Sequence, residues 1–326
     1  ADALRRLADE GVELIVTVDN GISAVDEAAL AKELGIELVI TDHHQPGDVL
    51  PDAAAVVDPH RNDDLSPFKD LCGCGVALKL IAAMDGGSLD SALEQFSDLA
   101  AIATVADVVP LTGENREIVR LGLKYLENTE NAGLQVLMEA ASVKLPVTSA
   151  QAAFALAPRI NATGRFASAS EAVELLLCED PDTAAEMAAR LNSLNSERKK
   201  TEAAIMEEIR GGILKNPSIL HERVLFLYGE GWHHGVIGIV AAKLVERFGK
   251  PVFILSDDGD TARGSARSVA GFSIHKALAA CSGLLSKFGG HSGAGGFSLP
   301  KENIGLFDEA LQKYAAEEFQ VMPRLV

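Results

Sequence analysis

Two apolar runs, each closing on an acidic group, constrain this chain more than any other feature. Leu14-Ile-Val-Thr-Val18 ends in Asp19-Asn20-Gly21, and Ile36-Glu-Leu-Val-Ile-Thr41 ends in Asp42-His43-His44. Between them, Ile22 to Leu34 carries Ile22, Val25, Ala28 and Ala29 on one helical face. A strand–helix–strand crossover makes the strands parallel and brings their carboxyl ends to one edge of the sheet, where open α/β sheets bind ligands. Asp19 and His43 are therefore expected at one site. Carboxylates with imidazole at strand ends suit Mn²⁺, with Mg²⁺ as the alternative, and the lack of nearby thiolates disfavours structural zinc. Two ions about 3.5–4 Å apart need a bridging carboxylate, for which Asp19 is the candidate. Asp107 follows the apolar run Leu99 to Val105 and is a candidate third donor. Taken alone, Asp19-Asn20-Gly21 reads as a turn and Asp107 equally as a cap. Asp58 and His60, in an Asp-Pro loop opening, are left outside the site.

At 326 residues the chain exceeds one typical core, so two domains are expected. Apolar residues make up 48% of it, yet no uninterrupted stretch approaches a membrane span and the first residues carry no signal pattern. A soluble cytoplasmic protein with no membrane partner is expected. Cys72, Cys74, Cys178 and Cys281 are too few for a disulfide framework, and Cys72-Gly-Cys74 is too closely spaced for a zinc knuckle; all four read as buried small residues. A net charge of −18 argues against a surface coated for nonspecific nucleic-acid binding. A polyanion would have to be held by a few placed side chains and metal ions.

Residues 1 to about 110 alternate strand and helix, including a short strand at Ala53 to Val57 and a helix at Val76 to Ala83. Arg116 to about Cys178 turns mainly helical, broken by Pro146 and by a loop from Pro158 to Arg165. Asp180-Pro181 is a helix start. Met187, Leu191, Leu194, Ile205 and Ile209 keep one face until Gly211-Gly212. Strands return at Val224 to Tyr228 and Val252 to Leu255, around a helix from Val236 to Phe248. These signals divide the chain into an α/β lobe over 1–179, a connecting helix over 180–213 and a smaller α/β lobe over 214–326.

An ordered set of motifs resembles the RecJ-type single-strand-specific 5′-to-3′ exonucleases of the DHH phosphoesterase superfamily, nearly end to end. The set comprises Val16-Thr-Val-Asp-Asn-Gly-Ile22, Thr41-Asp-His-His44, Thr104-Val-Ala-Asp-Val-Val-Pro-Leu111, Leu156-Ala-Pro-Arg-Ile-Asn-Ala-Thr-Gly-Arg165, Gly231-Trp-His-His-Gly-Val-Ile-Gly238, Gly264-Ser-Ala-Arg-Ser268 and Gly289-Gly-His-Ser-Gly-Ala-Gly-Gly296. The last two look like signatures of the DHH-associated domain. The resemblance implies a parallel-sheet DHH lobe, a long helix and a DHH-associated lobe, with single-stranded DNA threaded between the lobes. It makes Asp19 the bridging ligand and His43 and Asp107 ligands of one Mn²⁺, while His44 contacts phosphate or orients the ligands and Asp42 holds the loop. The family's first motif, an Asp-x-Asp strand, has no counterpart before Asp19, and the oligonucleotide-binding domain is not matched either. The expectation is a fragment that holds at most one ion firmly and is inactive or weakly active.

For substrate, Ser265 and Arg267 lie two apart in an extended stretch and can grip an anion from one face. Gly290 and His291 sit in a glycine-rich turn that can expose backbone N–H groups. Arg159, Asn161 and Arg165 are expected to contact the strand backbone. Trp232 reads equally as a base-stacking platform or as core, and Arg198-Lys-Lys200 as a solvated face. Hydrolysis to mononucleotides in repair and recombination follows from the resemblance, with a single-strand-binding protein and a helicase as further partners. The alternatives are a nano-RNase or cyclic-dinucleotide phosphodiesterase of the same superfamily, and a catalytically inactive replication scaffold.

Overall fold

The computed structural model describes residues 1–318, with Asp258 described by its backbone alone; the expected reach of the second lobe to residue 326 lies partly outside the described residues. Two compact units are present. The first comprises residues 1–161 and 170–192, the second 162–169 and the chain from Ser193 onward. This differs from the expected three-part division. The long helix is not a unit of its own but is shared at Asn192 and Ser193, and a short stretch near residue 165 joins the second unit.

The first unit opens with α1 (Asp2–Asp9), β1 (Leu14–Val18), α2 (Val25–Glu33), β2 (Glu37–Thr41) and β3 (Ala55–Val57). The three strands form a parallel sheet in the order β1-β2-β3, with Val18 beside Thr41 and Thr41 beside Val57. Ile40 and Leu38 of β2 are buried with Ala28 and Ala31 of α2, the packing that a crossover helix provides. A helical layer follows: α3 (Gly73–Met84), α4 (Leu89–Ala106), α5 (Gly113–Leu126), α6 (Ala132–Ala140), α7 (Ser149–Gln151), a π turn over Ala152–Leu156, α8 (Ala157–Phe166) and α9 (Ser170–Leu177). Leu126, Leu134, Leu137, Leu156 and Leu175 form its main core.

The expected loop from Pro158 to Arg165 is helix α8. Pro158 cannot donate a backbone hydrogen bond, and the wide turn before it closes instead through Ala157 N–H to the Ala152 carbonyl. The Arg159 guanidinium donates to the Ala155 carbonyl of that turn at 2.6 Å. Helix α10 (Pro181–Lys215) is 35 residues long, about 52 Å at 1.5 Å per residue. Gly211 and Gly212 do not stop it.

The second unit continues with β4 (Leu225–Glu230), α11 (His234–Phe248), β5 (Val252–Asp258), β6 (Thr261–Arg267), α12 (Ile274–Ala280), β7 (Lys287–Gly290), β8 (Ala294–Pro300) and α13 (Ile304–Glu318). Its five strands run β4-β5-β6-β8-β7, parallel between β4 and β5 and antiparallel elsewhere. Alternation along the strands sends Val252 and Ile254 to a core with Val236, Ile237 and Val240 of α11, and Phe253, Leu255, Phe297 and Leu299 to a core with α12 and α13. Among the described residues no helix is long and apolar enough to cross a membrane. The four cysteines are free; Cys72 and Cys281 are buried, whereas Cys74 and Cys178 are only partly so.

Candidate metal centre and anion-binding cluster

The ends of β1 and β2 are laced together before any functional side chain is reached. Asp19 N–H donates to the Thr41 carbonyl at 3.0 Å, Asp42 N–H to the Val57 carbonyl at 3.0 Å, and the Thr41 hydroxyl to the Thr17 carbonyl at 2.7 Å. Asp42, 1% exposed, folds back under the loop. It accepts from Ile22 N–H at 2.9 Å, His43 N–H at 2.8 Å and His44 Nδ1 at 2.7 Å. Burial alone would raise its pKa, but these hydrogen bonds outweigh burial and hold it below the usual carboxylate range.

With Asp42 holding the backbone, His43 turns toward Asp19 and Asp107. Its Nε2 lies 3.0 Å from Asp19 Oδ1 and 3.5 Å from Asp107 Oδ2. Asp107 is the C-cap of α4, not a strand end, and the next residue, Val108, has φ 61°. Asp19 itself has φ 64°, in the left-handed region. One donor atom each from Asp19, His43 and His44 lies within 4.8 Å of the others. The Asp19 carboxylate, assisted by Asp107, raises the His43 pKa against the effect of burial, and burial together with the charge of Asp19 raises that of Asp107.

The fit to a cation rests on His43 Nε2. It is fully buried, yet neither nearby carboxylate oxygen sits where a ring N–H could donate to it. A ring nitrogen and two carboxylates converging without a hydrogen bond form a donor set for a divalent ion. Behind them, His60 Nδ1 donates to the His43 carbonyl at 2.6 Å, and His60 N–H donates to Asp58 at 2.7 Å. His60 thus touches the backbone of the site and Asp58 holds His60, a support that an Asp-Pro loop opening does not announce. Gly73, the first residue of α3, is a further residue of the site that residue type alone does not mark. A Cβ there would fall 2.3 Å from Asp19 Oδ1 and 2.4 Å from Asp19 Cβ, so only glycine lets Asp19 lie where it does. Its signal in the sequence is the glycine between Cys72 and Cys74.

In the second unit Ser265 and Arg267 share a face of β6, and Arg267 donates to the Ser265 hydroxyl at 3.2 Å. A Cβ on Gly238 of α11 would come within 2.9 Å of Ser265 Oγ and 3.2 Å of Arg267, so the first turns of α11 lie directly on this pair. Arg165 joins them by donating to the Gly235 carbonyl at 2.6 Å. Burial lowers the Arg165 pKa, and the like charges of Arg198 and Arg267 lower it further. Guanidinium groups gathered in partial burial are the donors with which an anion could be held. Arg198 is not on a solvated face: it pairs with Glu202 at 2.8 Å and is 11% exposed.

Other expected residues are placed differently. Arg159 and Asn161 lie in the first unit, where Arg159 donates to Asn192 at 3.0 Å. Trp232 is core: it is 7% exposed and its Nε1 donates to Glu208 at 2.8 Å. His291 is exposed, and its Nδ1 accepts from Gly293 N–H at 3.2 Å. Gly290 has φ 136°, and a Cβ there would meet the Ala294 carbonyl oxygen at 2.3 Å, so the turn itself requires it. His233, in the Gly231 to Gly238 motif, caps α11 and stacks on Phe166 at 4.2 Å.

The family model for the DHH family N-terminal domain matches residues 2–104, and that for the DHHA1 domain matches 216–317. The chain is 43% identical over 305 residues to the single-stranded-DNA-specific exonuclease RecJ of Bacillus subtilis, covering 93% of this chain and 38% of that protein. It is 38% identical to the RecJ of Salmonella typhimurium, covering 94% of this chain and 57% of that protein. The chain thus spans roughly two fifths to three fifths of these relatives' length. Among solved structures, RecJ in complex with Mn²⁺ from Thermus thermophilus superposes with a TM-score of 0.85 at 33% identity, over 97% of this chain and 46% of that one. An exonuclease RecJ bound to manganese gives a TM-score of 0.80 at 33% identity, over 95% of this chain and 78% of that one. With both domain models matched in order and the fold shared along nearly the whole length, the chain belongs to the RecJ family of DHH-domain proteins.

Proposed function

We propose that this chain carries the catalytic and strand-binding parts of a metal-dependent phosphodiesterase that removes mononucleotides from the 5′ end of single-stranded DNA. The observation that carries this reading is the buried His43 Nε2 between Asp19 and Asp107 without a hydrogen bond to either. Asp19, His43 and Asp107 would hold Mn²⁺, with Mg²⁺ as the alternative. Such an ion supplies Lewis-acid stabilisation of the charge that builds on the scissile phosphate. His44 is anchored through Nδ1 to Asp42, which leaves its Nε2 to contact phosphate or join the donors. One ring nitrogen and two carboxylates supply a single ion, so a two-ion site needs carboxylates beyond those gathered here.

Polarity requires a group that recognises the strand's end, because a metal centre treats every phosphodiester alike. Ser265 and Arg267, with Arg165 beside them, offer a guanidinium fork and a hydroxyl to a terminal 5′-phosphate, each charge-assisted hydrogen bond being worth about 1.5–3 kcal/mol. Arg159, Asn161, Gly290 and His291 belong to the same reading as further strand contacts. So do a cytoplasmic setting in repair and recombination, and a helicase or single-strand-binding protein that supplies the strand.

The test is Mn²⁺-dependent release of mononucleotides from 5′-phosphorylated and 5′-hydroxyl single strands by a polypeptide carrying this chain. Asp19→Ala, His43→Ala and Asp107→Ala should each abolish it. Arg267→Ala should lower kcat/KM far more on the phosphorylated strand. Retained activity in all three alanine variants would overturn the metal site, and an equal loss on both ends would overturn the polarity assignment.

A further inference from the structure

Helix α11 opens with two glycines three residues apart, and each looks onto a different part of one cluster. A Cβ on Gly238 would meet Ser265 Oγ at 2.9 Å and Arg267 Nη2 at 3.2 Å. One on Gly235 would meet the Arg165 carbonyl oxygen at 2.9 Å and His233 Cε1 at 3.1 Å. Residues three apart on a helix share a face, with about 5–6 Å between their Cβ positions. The His233 ring therefore stands one turn from the Ser265 and Arg267 pair, on the face where Arg165 also lies. The positive end of α11 favours an anion at the same place.

His233 is held in one orientation while one of its polar atoms goes unused. Its Nδ1 accepts from Gly235 N–H at 3.1 Å, and its ring lies on Phe166 at 4.2 Å with only 18° between the planes. A ring nitrogen that accepts carries no proton, so the proton is on Nε2. Among the described residues Nε2 makes no hydrogen bond, and it reaches solvent. A helix cap needs only one acceptor, which asparagine, aspartate or serine supplies better. What histidine adds at this position is a second nitrogen, fixed by the first and pointing away from it.

We propose that His233 is a specificity-determining residue of the end pocket: Nε2–H donates to the oxygen that a terminal 5′-phosphate exposes and an internal phosphodiester does not. The inference rests on the functional reading above and adds how the pocket tells an end from an interior. Arg267 and Arg165 bring charge, which attracts every phosphate, and each already spends Nη1 on a main-chain carbonyl, that of Ala266 and that of Gly235. A single fixed N–H acts differently. It contributes only where an oxygen meets it, so it reads the extra oxygen of the terminal group.

The experiment uses His233→Asn, which keeps an acceptor for Gly235 N–H and removes the outer donor. Binding without hydrolysis is measured by fluorescence anisotropy in EDTA, with 5′-phosphorylated and 5′-hydroxyl tetrathymidylates, beside Tm. The unaltered chain should prefer the phosphorylated strand. His233→Asn should cut that preference roughly tenfold or more, leaving affinity for the 5′-hydroxyl strand and Tm nearly unchanged. A second measurement needs no variant to fold: in ¹⁵N-histidine spectra of the unaltered chain, one Nε2–H signal should shift with the phosphorylated strand and not with the 5′-hydroxyl one. If His233→Asn keeps the full preference while Arg267→Ala loses it, or if both strands weaken equally in His233→Asn, His233 only caps the helix and the inference is overturned while the end pocket stands. Spectra without such a shift overturn it as well. If the unaltered chain does not distinguish the two strands, the inference and the end pocket are both overturned.

Discussion

Two aspartates one strand apart do opposite kinds of work. Asp42 is buried and fully engaged, and its loss strips Ile22 N–H, His43 N–H and the His44 ring of their acceptor. Asp19 sits at φ 64°, a conformation that costs an L-residue about 1–2 kcal/mol, and it faces another carboxylate across His43. Asp42→Ala should therefore destabilise by about 1.5–3 kcal/mol. Asp19→Gly, which relieves the left-handed backbone at some entropic cost, should leave stability unchanged or raise it by up to about 1 kcal/mol while abolishing Mn²⁺ binding. The pH dependence has a definite sign. The folded pKa of Asp42 is depressed, so its contribution is present above the unfolded carboxylate value of about 3.9 and fades as pH falls through the lower folded value. Urea denaturation of both variants, alongside calorimetric titration with Mn²⁺, checks this. A larger stability loss for Asp19→Gly than for Asp42→Ala would reverse the division of labour.

At the scale of elements, the start of α3 is what aims Asp19. The Gly73 Cα occupies space that any other residue would take from the aspartate, and the positive end of the helix favours a carboxylate there. Gly73→Ala should thus lower Mn²⁺ affinity roughly tenfold or more, as loss of a supporting contact does, and calorimetry against the unaltered chain checks it. An unchanged affinity would mean Asp19 has room to move. What was legible in the sequence follows the same logic. β1, β2 and their polar ends could be read because each is a continuous apolar run and the carboxyl ends of parallel strands joined by a crossover helix must share an edge, although only β2 is buried. Helix α8 could not, because Pro158 and Gly164 are local breakers and the wide π turn that admits the proline has no signature in the residue types. Arg198 looked like part of a solvated charge run because its Glu202 partner says nothing of burial until α10 is packed. Nor do Gly289 and Gly290 differ as letters; only the atoms a Cβ would meet separate them.

For the whole molecule, charge and apolar surface pull in opposite directions. Leu14, Val16 and Val18 of β1 are 53%, 46% and 44% exposed, and the parallel register sets Val39 and then Ala55 beside Val16 on the same face. Parallel sheets are normally covered on both faces, and a contiguous open apolar face favours association. A net charge of −18 opposes it, since two copies repel across a screening length of about 10 Å at 0.1 M salt but only about 3 Å at 1 M. The chain should therefore be monomeric in dilute buffer and self-associate as NaCl rises toward 1 M. Val16→Lys separates the two effects. It makes the net charge less negative, which on electrostatic grounds alone would promote association, but it places a charge in the middle of the apolar face, which should prevent it. Sedimentation velocity across the salt series is the measurement. A monomeric Val16→Lys variant at high salt would assign the association to this face, whereas association as strong as that of the unaltered chain, or none in either protein, would overturn it.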